Sequence, residues 1–178
     1  GRWAMTAYQY LPSSLFEETD FLVLSRYSDF GSNYWTVWMQ FNPTGAVGSL
    51  RTYVGANGTT LTPIVFDKWV EIRVEIDLDA DSCEVFYDGA PVGPAYAWSG
   101  GWNGSATLGP MEIATVDLYS PTTTASQAAY YDDMSLLPLP PEPTFFCTAK
   151  TALVCGVPSI SATGTSSASN TAFSPLVI

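Results

Sequence analysis

The sequence predicts an all-β fold: an antiparallel β-sandwich of jelly-roll type over residues 1–137, with an extended C-terminal tail. Three observations predict it. Apolar residues recur at every second position in several segments, clusters of Gly, Asn, Asp and Pro separate those segments, and no helical periodicity runs beyond two turns. Eight or more short strands joined by such turns fit two packed sheets better than alternating strands and helices.

Ala4–Leu11 and Phe21–Tyr27 are the first strand-like runs. In the third, Trp35, Val37, Met39 and Phe41 fall on one face, and Tyr34, Thr36, Trp38 and Gln40 on the other. Ala46–Tyr53 follows. Val70, Ile72, Val74, Ile76 and Leu78 then form an apolar face opposite Glu71, Arg73, Glu75 and Asp77. Glu84–Tyr87, Met111–Tyr119 and Ala128–Leu137 complete the series. Turn signals stand between the runs at Asp29-Phe30-Gly31, Asn42-Pro43-Thr44-Gly45, Asn57-Gly58, Asp88-Gly89 and Asn103-Gly104.

The chain has 178 residues, of which 47% are hydrophobic, enough to bury a sizeable core. Six Lys and Arg against 17 Asp and Glu leave a net charge of −11. Such a chain offers little to neutralise phosphates or to hold an anionic membrane surface, so no nucleic-acid partner is expected. No apolar run is long enough for a membrane-spanning helix, and no membrane insertion is expected. There is no histidine, which removes His-dependent triads, HExxH zinc sites and His-ligated haem. Low Lys with abundant Ser, Thr, Asn, Gly and Tyr resembles the composition of secreted bacterial proteins, so a secreted, cell-surface location is expected.

Organisation changes near residue 138. Residues 1–137 hold 16 of the 17 acids and 5 of the 6 bases. Pro138-Leu139-Pro140-Pro141-Glu142-Pro143 reads as a semi-rigid linker over residues 138–143. Residues 144–178 form a Ser/Thr-rich tail with too little bulky apolar surface to build a core alone. It ends on Leu176-Val177-Ile178, a segment suited to pairing with the sheet edge of a neighbour. Cys147 and Cys155 are spaced for a small disulfide loop, which would leave Cys83 as a free or intermolecular thiol.

Trp69–Asp79 followed by Val85-Phe86-Tyr87-Asp88-Gly89 resembles the long strand and hairpin of laminin-G-like, concanavalin A-like lectin/glucanase domains. Ala128–Leu136 is similar to the closing strand of such domains, and Trp3–Pro12 with Phe21–Gly31 to the first half of the same sheet. Members of the family carry a strand before the equivalent of Trp3, so the resemblance implies a sandwich trimmed there or completed from elsewhere. Phe146–Lys150 and Cys155–Pro158 resemble the opening of a tail module of similar secreted proteins.

Three constellations are candidates for chemistry. The family's retaining glucanases use Glu-x-Asp-x-Glu on one strand as nucleophile, helper and acid. Here Glu75-Ile76-Asp77-Leu78-Asp79 ends in Asp, one methylene short, and Glu71, Arg73, Glu75 and Asp77 read equally as a solvated face with local ion pairs. The family also implies a structural calcium, for which Asp132 and Asp133 are the candidate ligands. Sugars stack on Trp and Tyr faces, and Tyr34, Trp38, Trp98 and Trp102, with Arg73 and Glu75, are the candidate carbohydrate ligands. Trp98 and Trp102 are expected in an exposed Gly/Ser loop. The leading expectation is therefore a non-catalytic extracellular carbohydrate-binding or adhesion module. The alternative is a subunit of a self-assembling fibre, a homopolymer through tail residues 144–178. A retaining glycosidase using Glu75 and Asp77 is the remote one.

Overall fold

A computed structural model describes residues 1–140 apart from 16, 30, 43–47 and 121–128, together with the backbone of 146–149 and 153–156. Gly1–Pro141 and Glu142–Ile178 form two compact units.

The first unit is an antiparallel β-sandwich. Its strands are β1 (Arg2–Tyr10), β2 (Thr19–Arg26), β3 (Tyr34–Asn42), β4 (Ser49–Tyr53), β5 (Thr59–Pro63), β6 (Trp69–Asp77), β7 (Ser82–Tyr87), β8 (Ala90–Pro91), β9 (Thr115–Tyr119) and β10 (Tyr130–Pro138). One sheet has the order β10-β1-β6-β7-β8 and the other β5-β4-β3-β2-β9. The expected all-β sandwich is the observed architecture. No helix among the described residues is long and apolar enough to cross a membrane.

Strict alternation makes the core. On β6, Val70, Ile72, Val74 and Ile76 are buried between the sheets, while Glu71, Arg73, Glu75 and Asp77 point outward. Phe21 and Val23 of β2, with Val37, Met39 and Phe41 of β3, face them from the second sheet. Aromatic pairs tie the layers: Phe21 lies 6.1 Å from Tyr131, and Phe41 5.7 Å from Tyr87. Each fully buried Val, Leu, Ile or Phe side chain contributes about 1.5–3 kcal/mol.

The Asp88-Gly89 signal makes a two-residue hairpin between Tyr87 and Ala90, with both turn residues at positive φ (50° and 78°). That is the mirror-image turn whose twist suits adjoining strands. Two strands escape the periodicity. β8 has only two residues, and β5 is the Thr-rich edge segment Thr59-Thr60-Leu61-Thr62-Pro63, mostly exposed. The Asn57-Gly58 turn preceding β5 was its sequence signal, since hairpins place a second strand directly after such a turn.

Two features of this unit bear on the expectations. β1 pairs with β10 on one side and β6 on the other, so the sheet is not open beside Trp3. The closing strand β10 occupies the place next to β1. Of the two states expected for Cys83 it has the free one: the thiol is buried at 1% exposure opposite Ile76, and burial pushes it up to about 12. An intermolecular bond from it would require opening the core.

In the second unit, β11 (Phe146–Ala149) and β12 (Leu153–Gly156) form an antiparallel hairpin whose register sets Cys147 opposite Cys155. The proposed strand-donating end, Leu176-Val177-Ile178, lies outside the described residues.

Ile72 sits at the centre of the packed layers with no exposure, and Leu61 stands 67% exposed on β5. Ile72→Ala is expected to cost about 2–5 kcal/mol, and Leu61→Ala less than about 0.5 kcal/mol, by urea denaturation at unchanged m-value.

Candidate functional site

The outer face of the β5-β4-β3-β2-β9 sheet carries the strongest side-chain convergence. It arises from a local break in the alternation of β3. Opposite β2, Val23 pairs with Val37 and Leu24 with Trp35, so Thr36 is an extra residue in the ladder. A bulge of this kind re-aims the side chains beyond it. Trp35, expected on the same face as Val37, is instead turned out, 38% exposed, with its ring 5.5 Å from Trp38. Thr36 takes a buried position in its place.

Trp38 is the hub of the cluster. Its indole stacks on Tyr53 at 4.7 Å and 27°, because the β3–β4 register sets these residues opposite each other. Trp102 meets both edge-on, 4.9 Å from Trp38 and 5.0 Å from Tyr53. Such geometries are the favourable ones for aromatic pairs. The Trp102 backbone N–H donates to Trp35 O at 3.2 Å, fastening its loop to the strand.

That loop depends on Trp98 and Tyr34, and of the two only Trp98 departs from its expected exposed position. Trp98 is completely buried, and its Nε1 donates to Glu112 O at 3.0 Å. It has no free face for a sugar, because the Gly/Ser loop folds over it as a plug rather than displaying it. Ser99 next to it donates from N and Oγ to Asp81 at 2.8 and 2.7 Å. The Tyr34 hydroxyl lies 2.8 Å from Ser99 O and 2.6 Å from Thr107 O, bridging the two sides of the loop. Its ring rests on Gly109, where an added Cβ would come within 2.4 Å of the ring carbons. Tyr34 positions the loop; Trp38 and Trp102 are the predicted aromatics that converge with Trp35 and Tyr53.

Polar groups border these rings. Asp20 of β2 lies opposite Gln40 of β3, and Gln40 opposite Arg51 of β4. Arg51 Nη1 donates to Gln40 Oε1 at 3.1 Å, and Gln40 Nε2 donates to Glu18 Oε1 at 3.0 Å. A recess of about 320 Å³ is lined by Asp20, Leu22, Trp35, Trp38, Asp117 and Tyr119. A second, of about 240 Å³, is lined by Asn33, Tyr34, Trp35, Trp102, Asn103 and Ser105. Trp35 is common to both, so they flank a single indole.

Asp20 is the unusual group. It is 2% exposed, and burial pushes its carboxyl up to about 6. The Trp38 indole N–H leans toward it and opposes that rise without closing hydrogen-bond geometry, while the charges of Glu18 and Asp117 add to the rise. Asp20 stood just ahead of a predicted strand and offered no sequence signal beyond an acid at a strand end.

The remaining predicted residues lie elsewhere. Arg73 and Glu75 are on the outer face of the opposite sheet, away from the aromatic cluster. Arg73 makes ion pairs with Glu71 and Glu75, and its guanidinium lies 4.0 Å over the Phe86 ring. Asp77 accepts turn hydrogen bonds from Asp79 N and Ala80 N, both at 2.9 Å, and Arg2 Nε approaches it at 3.7 Å. Asp79 lies beyond the end of β6, so the three acids do not share one strand face. Glu75 and Asp77 share the outer face of β6, engaged in ion pairs and a turn cap, and Asp79 stands outside that strand. Asp132 Oδ1 accepts from Asp133 N at 2.8 Å, and Asp133 has φ 48° where the β1–β10 register shifts. These two acids shape a bulge. Among the described residues no group of three or more His, Cys, Asp or Glu gathers in one place.

The pH dependence of stability reports on Asp20. Its folded-state carboxyl titrates near 6, above the ordinary carboxylate value. Its favourable contribution is therefore complete below about pH 4 and is lost as pH rises through about 6. Asp20→Asn should stabilise the chain at pH 7 by on the order of 2–3 kcal/mol, and this advantage should shrink toward zero near pH 4 in melting experiments across that range.

No protein-family model and no curated protein matches the sequence. Among solved structures, an alginate lyase from Pseudomonas aeruginosa aligns with 78% of this chain and 64% of its own, at 12% identity and a TM-score of 0.43. The chain thus spans less than two thirds of that protein's length, and a likeness at this level assigns neither family nor activity.

Proposed function

We propose that the sandwich is a non-catalytic, extracellular carbohydrate-binding module of lectin-like type, with its site on the outer face of the β5-β4-β3-β2-β9 sheet. The convergence of Trp35, Trp38, Tyr53 and Trp102 beside two polar recesses carries this reading. Pyranose rings present apolar C–H faces and a rim of hydroxyls. Binding one requires an aromatic surface together with acceptors and donors around it, which is the chemistry of this face.

The division of labour follows from exposure. Trp35 offers open indole surface and meets Trp38 edge-on, and Trp38 is itself packed by Tyr53 and Trp102. Asp20, Asp117, Asn33 and Asn103 are the groups lining the recesses that can exchange hydrogen bonds with sugar hydroxyls. Preorganisation matters because holding rings in advance removes an ordering cost from binding. The cluster meets this need through the β3–β4 register and through Trp102 N–H on the Trp35 carbonyl.

Affinity electrophoresis in gels containing soluble polysaccharides tests the reading. Trp35→Ala should lose retention at least tenfold, about 1.4 kcal/mol. Trp69→Ala, an exposed aromatic on the opposite sheet, should leave it unchanged. Equal retention of both variants would remove the site from this face.

A further inference from the structure

We infer that the groove formed by the two recesses either side of Trp35 takes uncharged pyranose chains and rejects polyuronates and other anionic glycans. This rests on the carbohydrate-binding reading and specifies its ligand class. The first recess presents two carboxylates, Asp20 and Asp117, on one wall with Trp35 and Trp38. Glu18 stands beside them through its hydrogen bond from Gln40. The second recess is lined by amide and hydroxyl groups, Asn33, Tyr34, Asn103 and Ser105, with Trp102. Among the described residues, no Lys or Arg lines either one.

Charge decides between ligand classes here. A uronate seated against Asp20 and Asp117 would place like charges together in a partly dehydrated recess, where screening is weak. Arg51, which neighbours this face, has its guanidinium directed to Gln40, which in turn serves Glu18. The same carboxylates are strong acceptors for neutral hydroxyls, and charge-assisted hydrogen bonds of that kind are the stronger ones. The net charge of −11 adds a long-range field that slows the approach of any polyanion. Because Trp35 borders both recesses, one sugar ring over its indole has neighbours on either side, and a chain is favoured over a monosaccharide.

The test compares retention of the intact chain by hydroxyethylcellulose, glucomannan, galactomannan and xylan with retention by alginate and polygalacturonate, at fixed ionic strength and pH 7. At least one uncharged polymer should retain the chain tenfold more strongly than either polyuronate, and Trp35→Ala should abolish the difference. Asp117→Lys should narrow it by raising polyuronate retention, and a melting curve confirms that this variant is folded. Polyuronate retention equal to or above that of every uncharged polymer, lost in Trp35→Ala, would overturn the charge selection while leaving the site in place. Retention by no polymer of either class would overturn both the selection and the binding reading. Stronger retention by cationic chitosan than by any uncharged chain would overturn the preference for neutral sugars.

Discussion

Mutual burial of the two inner sheet faces is the constraint on which the rest of the molecule depends. Once Val70, Ile72, Val74 and Ile76 pack against Phe21, Val23, Val37, Met39 and Phe41, every alternate residue on those strands must face outward. A one-residue slip of any strand would expose its apolar set. The outer faces are therefore displayed by the core. On one sheet that display is an ion-paired surface of Glu71, Arg73 and Glu75; on the other it is a wall of rings.

The bulge at Thr36 is the one departure from alternation that creates something new. Continuing the period would have sent Trp35 inward, beside Val37. The extra residue instead delivers a second indole to the face that already holds Trp38, and opens a recess on each side of it. The loop after β8 completes the arrangement. Its buried Trp98 joins the hydrophobic core, and that anchoring lets Trp102 reach Trp38 and Tyr53. A core residue and a surface residue four positions apart thus serve one site by different means.

Acidic residues divide in the same way. Asp77, Asp81 and Asp132 are consumed by turns and loop anchoring, as their hydrogen bonds to nearby backbone N–H groups show. Asp20 has no such role. It is held at low exposure beside Trp38, where burial raises its carboxyl to about 6, and it lines the larger recess. A group kept at that cost beside a cluster of indoles distinguishes this face from the ordinary solvated surface of the opposite sheet.

The amino-acid sequence by itself determined the fold class, because strand periodicity and Asn-Gly or Asp-Gly turns act locally. Eight of the strands in the first unit stood in the pattern; β5 and β8 did not, since an edge strand rich in Thr and a two-residue strand bury too little to alternate. It also supplied Trp38 and Trp102 as surface aromatics. What only the tertiary structure decided was which residues meet. Tyr53 joins Trp38 through cross-strand register, Trp35 through a bulge, and Asp20 through a neighbouring strand. Trp98 is not at the surface because its ring joins the hydrophobic core and its Nε1 finds Glu112 O. These are outcomes of long-range pairing and packing. Composition and spacing along one segment carry no record of what lies across the sheet.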